Sequence, residues 1–198
     1  MGNSMADEAH IEILKHFNPV LIEQCRALDR LVYDEKYQST AEWENPQIKK
    51  NPRSRVLAHH AGVLVGYLEY IPLTTAAFGQ FLATRETVFD LLLTEESIAA
   101  WSQSEPVDIY IASMVVRPDY QSKGISMVLL QGLLKALTEL KSEGYLLGRI
   151  GATGVSVPGR RFVHTMLGIP YAHDVPGGVA GLGDVNATID YLDQYLGW

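Results

Sequence analysis

Hydrophobic positions change period several times along the chain, and each change marks an element. Ile11 and Ile13 alternate with polar neighbours, which predicts a first strand. Asn18-Pro19 reads as a cap followed by a first-turn proline. From there Leu21, Ile22, Cys25, Leu28, Leu31 and Val32 mark one face of a helix ending near Tyr33. Ser39 and Glu42 have capping-box spacing, which predicts a short helix around Glu42. The polar stretch 45–54, with Pro46 and Pro52, reads as a loop. Residues 55–60 and 64–73 read as strands joined at Ala61-Gly62. An insertion, 75–106, follows, with a helical stretch expected over 84–98 on Val88, Phe89, Leu91, Leu92 and Ile98. Residues 108–116 form an apolar strand, and Ile125, Val128, Leu129, Leu133, Ala136, Leu137 and Leu140 give a long helix closed by Gly144. A strand over 146–155 and a helix from Ser156 to Leu167, stopped by Gly168, come next. The tail, 170–198, carries Gly177, Gly178, Gly181 and Gly183 and a last short helix on Ile189, Leu192, Tyr195 and Leu196.

The strand, loop and helix at 108–141 organise the rest. Pro118 opens the loop and Gly124 closes it. The first N–H groups of a helix lack internal partners and carry partial positive charge, so such a junction suits an anion. Gly124 permits close approach and Lys123 adds a full charge. A P-loop is excluded, because it needs glycine before the lysine and here Lys123 precedes Gly124.

Val116-Arg117-Pro118 followed by Gln121-Ser122-Lys123-Gly124-Ile125-Ser126 resembles the acetyl-CoA-binding motif of the GNAT superfamily of N-acetyltransferases. The motif runs Val-x-Pro, then Arg or Gln, two residues, Gly, one residue, and Gly or Ala; Ser126 departs from its last position. The likeness covers roughly 54–170. It implies one α/β domain over 1–198, with a mixed, splayed central sheet flanked by helices and a helical insertion before the central strand. It also implies acetyl-CoA as acyl donor and no metal. Met114 and Val116 would pair with the pantetheine arm, the N–H groups around Val115 and Val116 would serve the oxyanion, and Gln121, Ser122, Lys123, Gly124, Ile125 and Ser126 would surround the diphosphate.

Acyl transfer to an amine needs a base. Glu69 stands in an apolar strand where burial raises a carboxyl pKa, and His59, His60, Asp108 and Tyr110 are further candidates. For an acid the resemblance points four residues before Gly168, where the usual tyrosine is His164; Tyr171 is an alternative. Ser156 stands near the place where the family often has an asparagine. The expected reaction is direct N-acetyl transfer in a ternary complex, since no thiol lies near the motif. A module that holds acyl-CoA without turnover is the second reading, favoured by Ser126 and the missing tyrosine.

Composition narrows the partners. A formal net charge of −7 disfavours nucleic acid. No apolar run is long enough to span a membrane. A single cysteine, Cys25, fits a cytoplasmic chain and reads as a buried thiol. The acceptor, a small-molecule or peptide amine, would be chosen by the loops at 34–54 and 75–105. Trp101, Trp198 and the insertion are candidates for a homodimer contact.

Overall fold

The computed structural model describes residues 8–85 and 89–197. Val88 and Trp198 therefore lie outside the described residues. The elements are β1 (His10–Ile13), α1 (Pro19–Val32), α2 (Ala41–Lys50), β2 (Arg55–His60), β3 (Val63–Leu73), α3 (Thr75–Ala83), β4 (Val107–Val116), α4 (Ile125–Ser142), β5 (Leu147–Gly154), α5 (Val157–Arg161), β6 (Tyr171–Val175), β7 (Gly178–Asp184) and α6 (Val185–Leu196). The strands form a seven-stranded mixed sheet in the order β1-β2-β3-β4-β5-β7-β6, with β4 and β5 parallel and β1-β2, β2-β3, β5-β7 and β6-β7 antiparallel.

The chain groups into two compact units. The first holds Met1–Glu69 and Ser113–Ala136. Its α1 begins where expected: the Asn18 side chain accepts from the N–H groups of Val20 and Leu21, ahead of Pro19. β2 and β3 turn at Ala61 and Gly62, both with positive φ, the backbone of a tight hairpin. Side chains alternate across strands, so Leu57 and Tyr67 share one face and meet Cys25 and Leu28 of α1. Gly66 lies on the other face, against Ile125 and Leu129 of α4, and Gly132 of α4 gives Val56 its room. A Cβ on Gly66 would stand 2.8 Å from the Val115 carbonyl oxygen, so only glycine lets the end of β4 come this close.

The second unit holds Tyr70–Ala112 and Leu137–Trp198. Its core gathers Ile71, Leu73, Phe78, Phe81, Phe89 and Tyr110. The Phe81 ring fills the place that a side chain at Gly151 would need, 2.3 Å from an added Cβ. α4 ends in a Schellman turn: Tyr145 donates to the Leu140 carbonyl, Gly144 donates to that of Lys141, and Gly144 has φ +85°.

Three expectations are corrected. The insertion helix is α3, Thr75–Ala83, and Thr84 is its C-cap rather than the start of a helix over 84–98, where two short 3-10 turns follow. The helix around Glu42 runs through Pro46 to Lys50, so the loop expected over 45–54 is only its last four residues. It starts after Thr40, whose carbonyl takes the first bond from Glu44, and not at Ser39. The tail contains a hairpin, β6 and β7, that adds two strands to the sheet.

Candidate active site

The loop after β4 is set by its first bonds. The Arg117 N–H donates to the Val65 carbonyl at 2.9 Å, which seats the end of β4 on β3. Pro118–Tyr120 make one 3-10 turn, closed by bonds from Tyr120 to Arg117 and from Gln121 to Pro118. The chain then passes through positive φ at Ser122 (60°) and Gly124 (85°) before α4 begins. Positive φ at a serine is uncommon and strained.

This path leaves a row of donors. The first bonds into α4 come from Met127 and Val128, both to the Gly124 carbonyl. Outside the helices and strands, no backbone bond of good geometry is donated by the N–H groups of Ser122, Lys123, Gly124, Ile125 or Ser126 among the described residues. Tyr120 stands beside them, with the Arg117 guanidinium 5.6 Å and the Lys123 ammonium 5.2 Å from its ring centre. Its hydroxyl lies 3.2 Å from His60 Nδ1. Arg117 is also paired with Asp119 at 2.8 Å. Loop donors, a helix N-terminus and cationic side chains are the groups with which a protein can hold a phosphate.

Glu69 stands in the same unit, opposite Arg55 in the β2–β3 register. Its side chain is 14% exposed and that of Arg55 only 1%. Arg55 Nε and Nη2 both donate to Glu69 Oε1, at 3.1 and 2.8 Å. Arg55 also binds Glu44 of α2, and Glu44 binds Arg26 of α1 at 2.8 Å. Burial pushes the Glu69 carboxyl above its ordinary range, Arg55 pulls it back, and Glu44 and Asp29 push it up again. Tyr67 donates to Asp29 on the same face, and burial raises the Asp29 carboxyl to about 6. The sequence singles out Glu69 as a candidate but not its neighbours Arg55, Glu44, Arg26, Asp29 and Tyr67. Plain hairpin register pairs Arg55 with Leu68; the shift between Ala58 and His59 moves the pairing one residue on, to Glu69, so register alone does not reveal the pair.

The sequence profile of the Acetyltransferase (GNAT) family matches residues 21–152. The chain belongs to this GNAT family. Among the solved structures similar to this GNAT chain is the loading GNATL domain of CurA from Lyngbya majuscula. It shares 14% identity at a TM-score of 0.60, over 90% of this chain and 98% of that one. The GphF GNAT-like decarboxylase in complex with isobutyryl-CoA shares 15%, at 0.61, over 89% and 99%. Arabidopsis thaliana Naa50 in complex with the bisubstrate analogue CoA-Ac-MVNAL shares 11%, at 0.56, over 89% and 97%. At these identities the likeness is one of fold. No curated protein sequence matches the chain.

The remaining residues expected for the GNAT site fall in different settings. His164 lies in a π-turn, Phe162–Met166, that continues α5, with Leu167 donating five residues back to Phe162. Its Nδ1 is 2.7 Å from the Ile169 carbonyl, which only accepts, so Nδ1 carries the hydrogen. A neutral ring then presents a lone pair at Nε2, which is buried without a partner among the described residues. Tyr171 is exposed on the outermost strand. His59 stands 3.3 Å from Glu12, and His60 is engaged by Tyr120 and Glu8. Asp108 grips Arg149 at 2.6 Å, and Tyr110 is buried with its hydroxyl on Thr153. Ser156 caps α5 through the Gly159 N–H. Cys25 is buried, and burial pushes its thiol up to about 12, which makes it inert.

No group of three metal-binding side chains occurs among the described residues. No described helix is long and apolar enough to cross a membrane.

Proposed function

We propose that the protein is an acetyl-CoA-dependent N-acetyltransferase that moves the acetyl group directly to an amine in a ternary complex. The observation that carries the reading is the donor row from Ser122 to Ser126 at the start of α4, from which no backbone bond of good geometry is made. It fits a diphosphate: the donors are backbone, the turn is fixed by positive φ at Ser122 and Gly124, and Lys123 adds charge. The backbone of Met114 and Val116, at the end of β4, would take the pantetheine amides, with the N–H groups around Val115 and Val116 available to the oxyanion.

The acceptor meets Glu69. A lysine-like ammonium held neutral at pH 7 costs about 4–5 kcal/mol without help. With Oε1 committed to Arg55, Oε2 of Glu69 is the atom that takes the ammonium proton. Burial of Glu69 strengthens it as a base. The amine nitrogen then bonds to the thioester carbon as the carbon–sulfur bond breaks. The second amine proton passes to the departing sulfur, a mild demand for a thiol of pKa about 8.5.

A second reading, a module that holds acyl-CoA without turnover, draws on His164. With Nδ1–H given to Ile169, a neutral ring has no proton at Nε2 for the sulfur. One experiment separates the readings: calorimetric titration with acetyl-CoA, then thiol release across an amine panel. Binding with turnover supports the enzyme and binding with none on any amine supports the module. Failure to bind overturns both.

A further inference from the structure

We infer that Arg55 is the positioning residue of Glu69, itself held by Glu44 and Arg26, so that a buried run of alternating charge fixes which Glu69 oxygen is free. The inference rests on the reading of Glu69 as the base. The run is Glu23–Arg26–Glu44–Arg55–Glu69, and it draws on α1, α2, β2 and β3 in turn. Its outer end, Glu23, is half exposed, while Arg26, Glu44 and Arg55 are 7%, 5% and 1% exposed at their side chains.

Three features argue that the run orients rather than stabilises. Buried ion pairs give little net stability, because desolvation offsets their attraction. Arg55 even leaves Nη1 buried without an acceptor among the described residues. Both remaining contacts to Glu69 fall on Oε1, where a symmetric fork would take one oxygen each. Nη2 is shared, one N–H to Glu69 and the other to Glu44 from the side of α2, so Glu44 fixes the plane of the guanidinium. The groups that face Glu69 are thus Arg55 from β2, Glu44 from α2, Asp29 and Cys25 from α1, and Tyr67 on its own strand.

The signs follow from charge. Removing Glu44's negative charge leaves Arg55 to Glu69 alone, so Glu69 becomes more acidic. Removing Arg55's positive charge makes it less acidic. Packing loss by itself would not drive the two variants in opposite directions.

The test is an NMR titration of the full chain labelled with 13C at glutamate carboxyls, Glu69 being assigned by its absence in Glu69→Gln. Acetyl-CoA affinity is measured by calorimetry on the same samples. Glu44→Gln is expected to lower the Glu69 midpoint by about half a unit or more, and Arg55→Gln to raise it. Arg55→Lys keeps the charge but loses the two-pronged hold. Its midpoint should stay near the wild-type value while kcat for thiol release falls about tenfold or more with acetyl-CoA affinity unchanged. If Arg55→Gln does not fold, Glu44→Gln carries the test. A Glu69 midpoint that stays or rises in Glu44→Gln overturns the inference, as does full kcat in Arg55→Lys. Loss of acetyl-CoA binding in the unmodified chain would instead count against the acyltransfer reading.

Discussion

Arg55 and Glu69 face each other across β2 and β3, and both arginine nitrogens that reach the carboxylate land on one oxygen. The other oxygen is the reactive one in the proposed chemistry. Glu69→Gln keeps the shape and removes the base. Thiol release should fall roughly 10²–10⁴-fold while acetyl-CoA affinity stays within about twofold, because the proposed phosphate loop is untouched. An enzyme with full activity would exclude Glu69.

Gly124 holds φ +85°, which a side chain resists. Gly124→Ala should cost about 1–2 kcal/mol of folding stability and weaken acetyl-CoA binding, since relief of the strain turns the loop donors away. Urea unfolding and calorimetry read the two effects separately.

Gly66→Ala places a methyl 2.8 Å from the Val115 carbonyl oxygen, a backbone atom that cannot swing aside. The expected loss is about 1–3 kcal/mol. A shift of the β4 end should appear in amide exchange at Val115 and Val116 before any change in the second unit.

Asp29 titrates near 6 in the folded chain, above its ordinary value of 3.8. The folded state therefore holds the proton more tightly than the unfolded state. The stability this contributes is full below about pH 4 and is lost as pH rises through about 6, a span worth on the order of 2–3 kcal/mol. Asp29→Asn keeps an acceptor for the Tyr67 hydroxyl and removes the titration. Its stability should be flatter than wild type over that window in urea melts. Equal slopes would contradict this assignment.

Cys25, with its thiol pushed to about 12, should resist a disulfide reagent in the folded chain and react at once in urea. The same inertness means that the protein's own thiol does not contribute to a thiol-release assay.

Elements with a local signal were legible. Asn18-Pro19, Ala61-Gly62 and Gly144 each act through a few neighbouring bonds, and each stands where the letters place it. The strand, loop and helix at 107–142 were legible for the same reason. The hairpin β6–β7 was not, because its glycines answer to distant atoms. A Cβ on Gly178 would meet the Gly154 carbonyl oxygen at 2.3 Å, and one on Gly181 would meet Val163 at 2.8 Å. Close sheet packing writes glycine where a loop would write it too. Pro46 misled in the other direction: Glu44, Gln47 and Ile48 of α2 are buried, and that packing outweighs the lost bond. Of the candidate site, the proposed phosphate loop lies in consecutive letters. The run from Glu23 to Glu69 draws on four elements and exists only after they meet.

The winding at Phe162–Met166 reaches five residues back where an α-helix reaches four. Each residue of an α-helix advances the chain by about 100°, so one surplus residue rotates everything beyond it out of step with a straight helix. A letter count back from Gly168 and an angular count around the axis thus arrive at different neighbours. Deleting a single residue there would regularise the coil and swing the imidazole away from the Ile169 carbonyl. Letter-by-letter bookkeeping between this chain and a straight-helixed relative loses its footing at that turn.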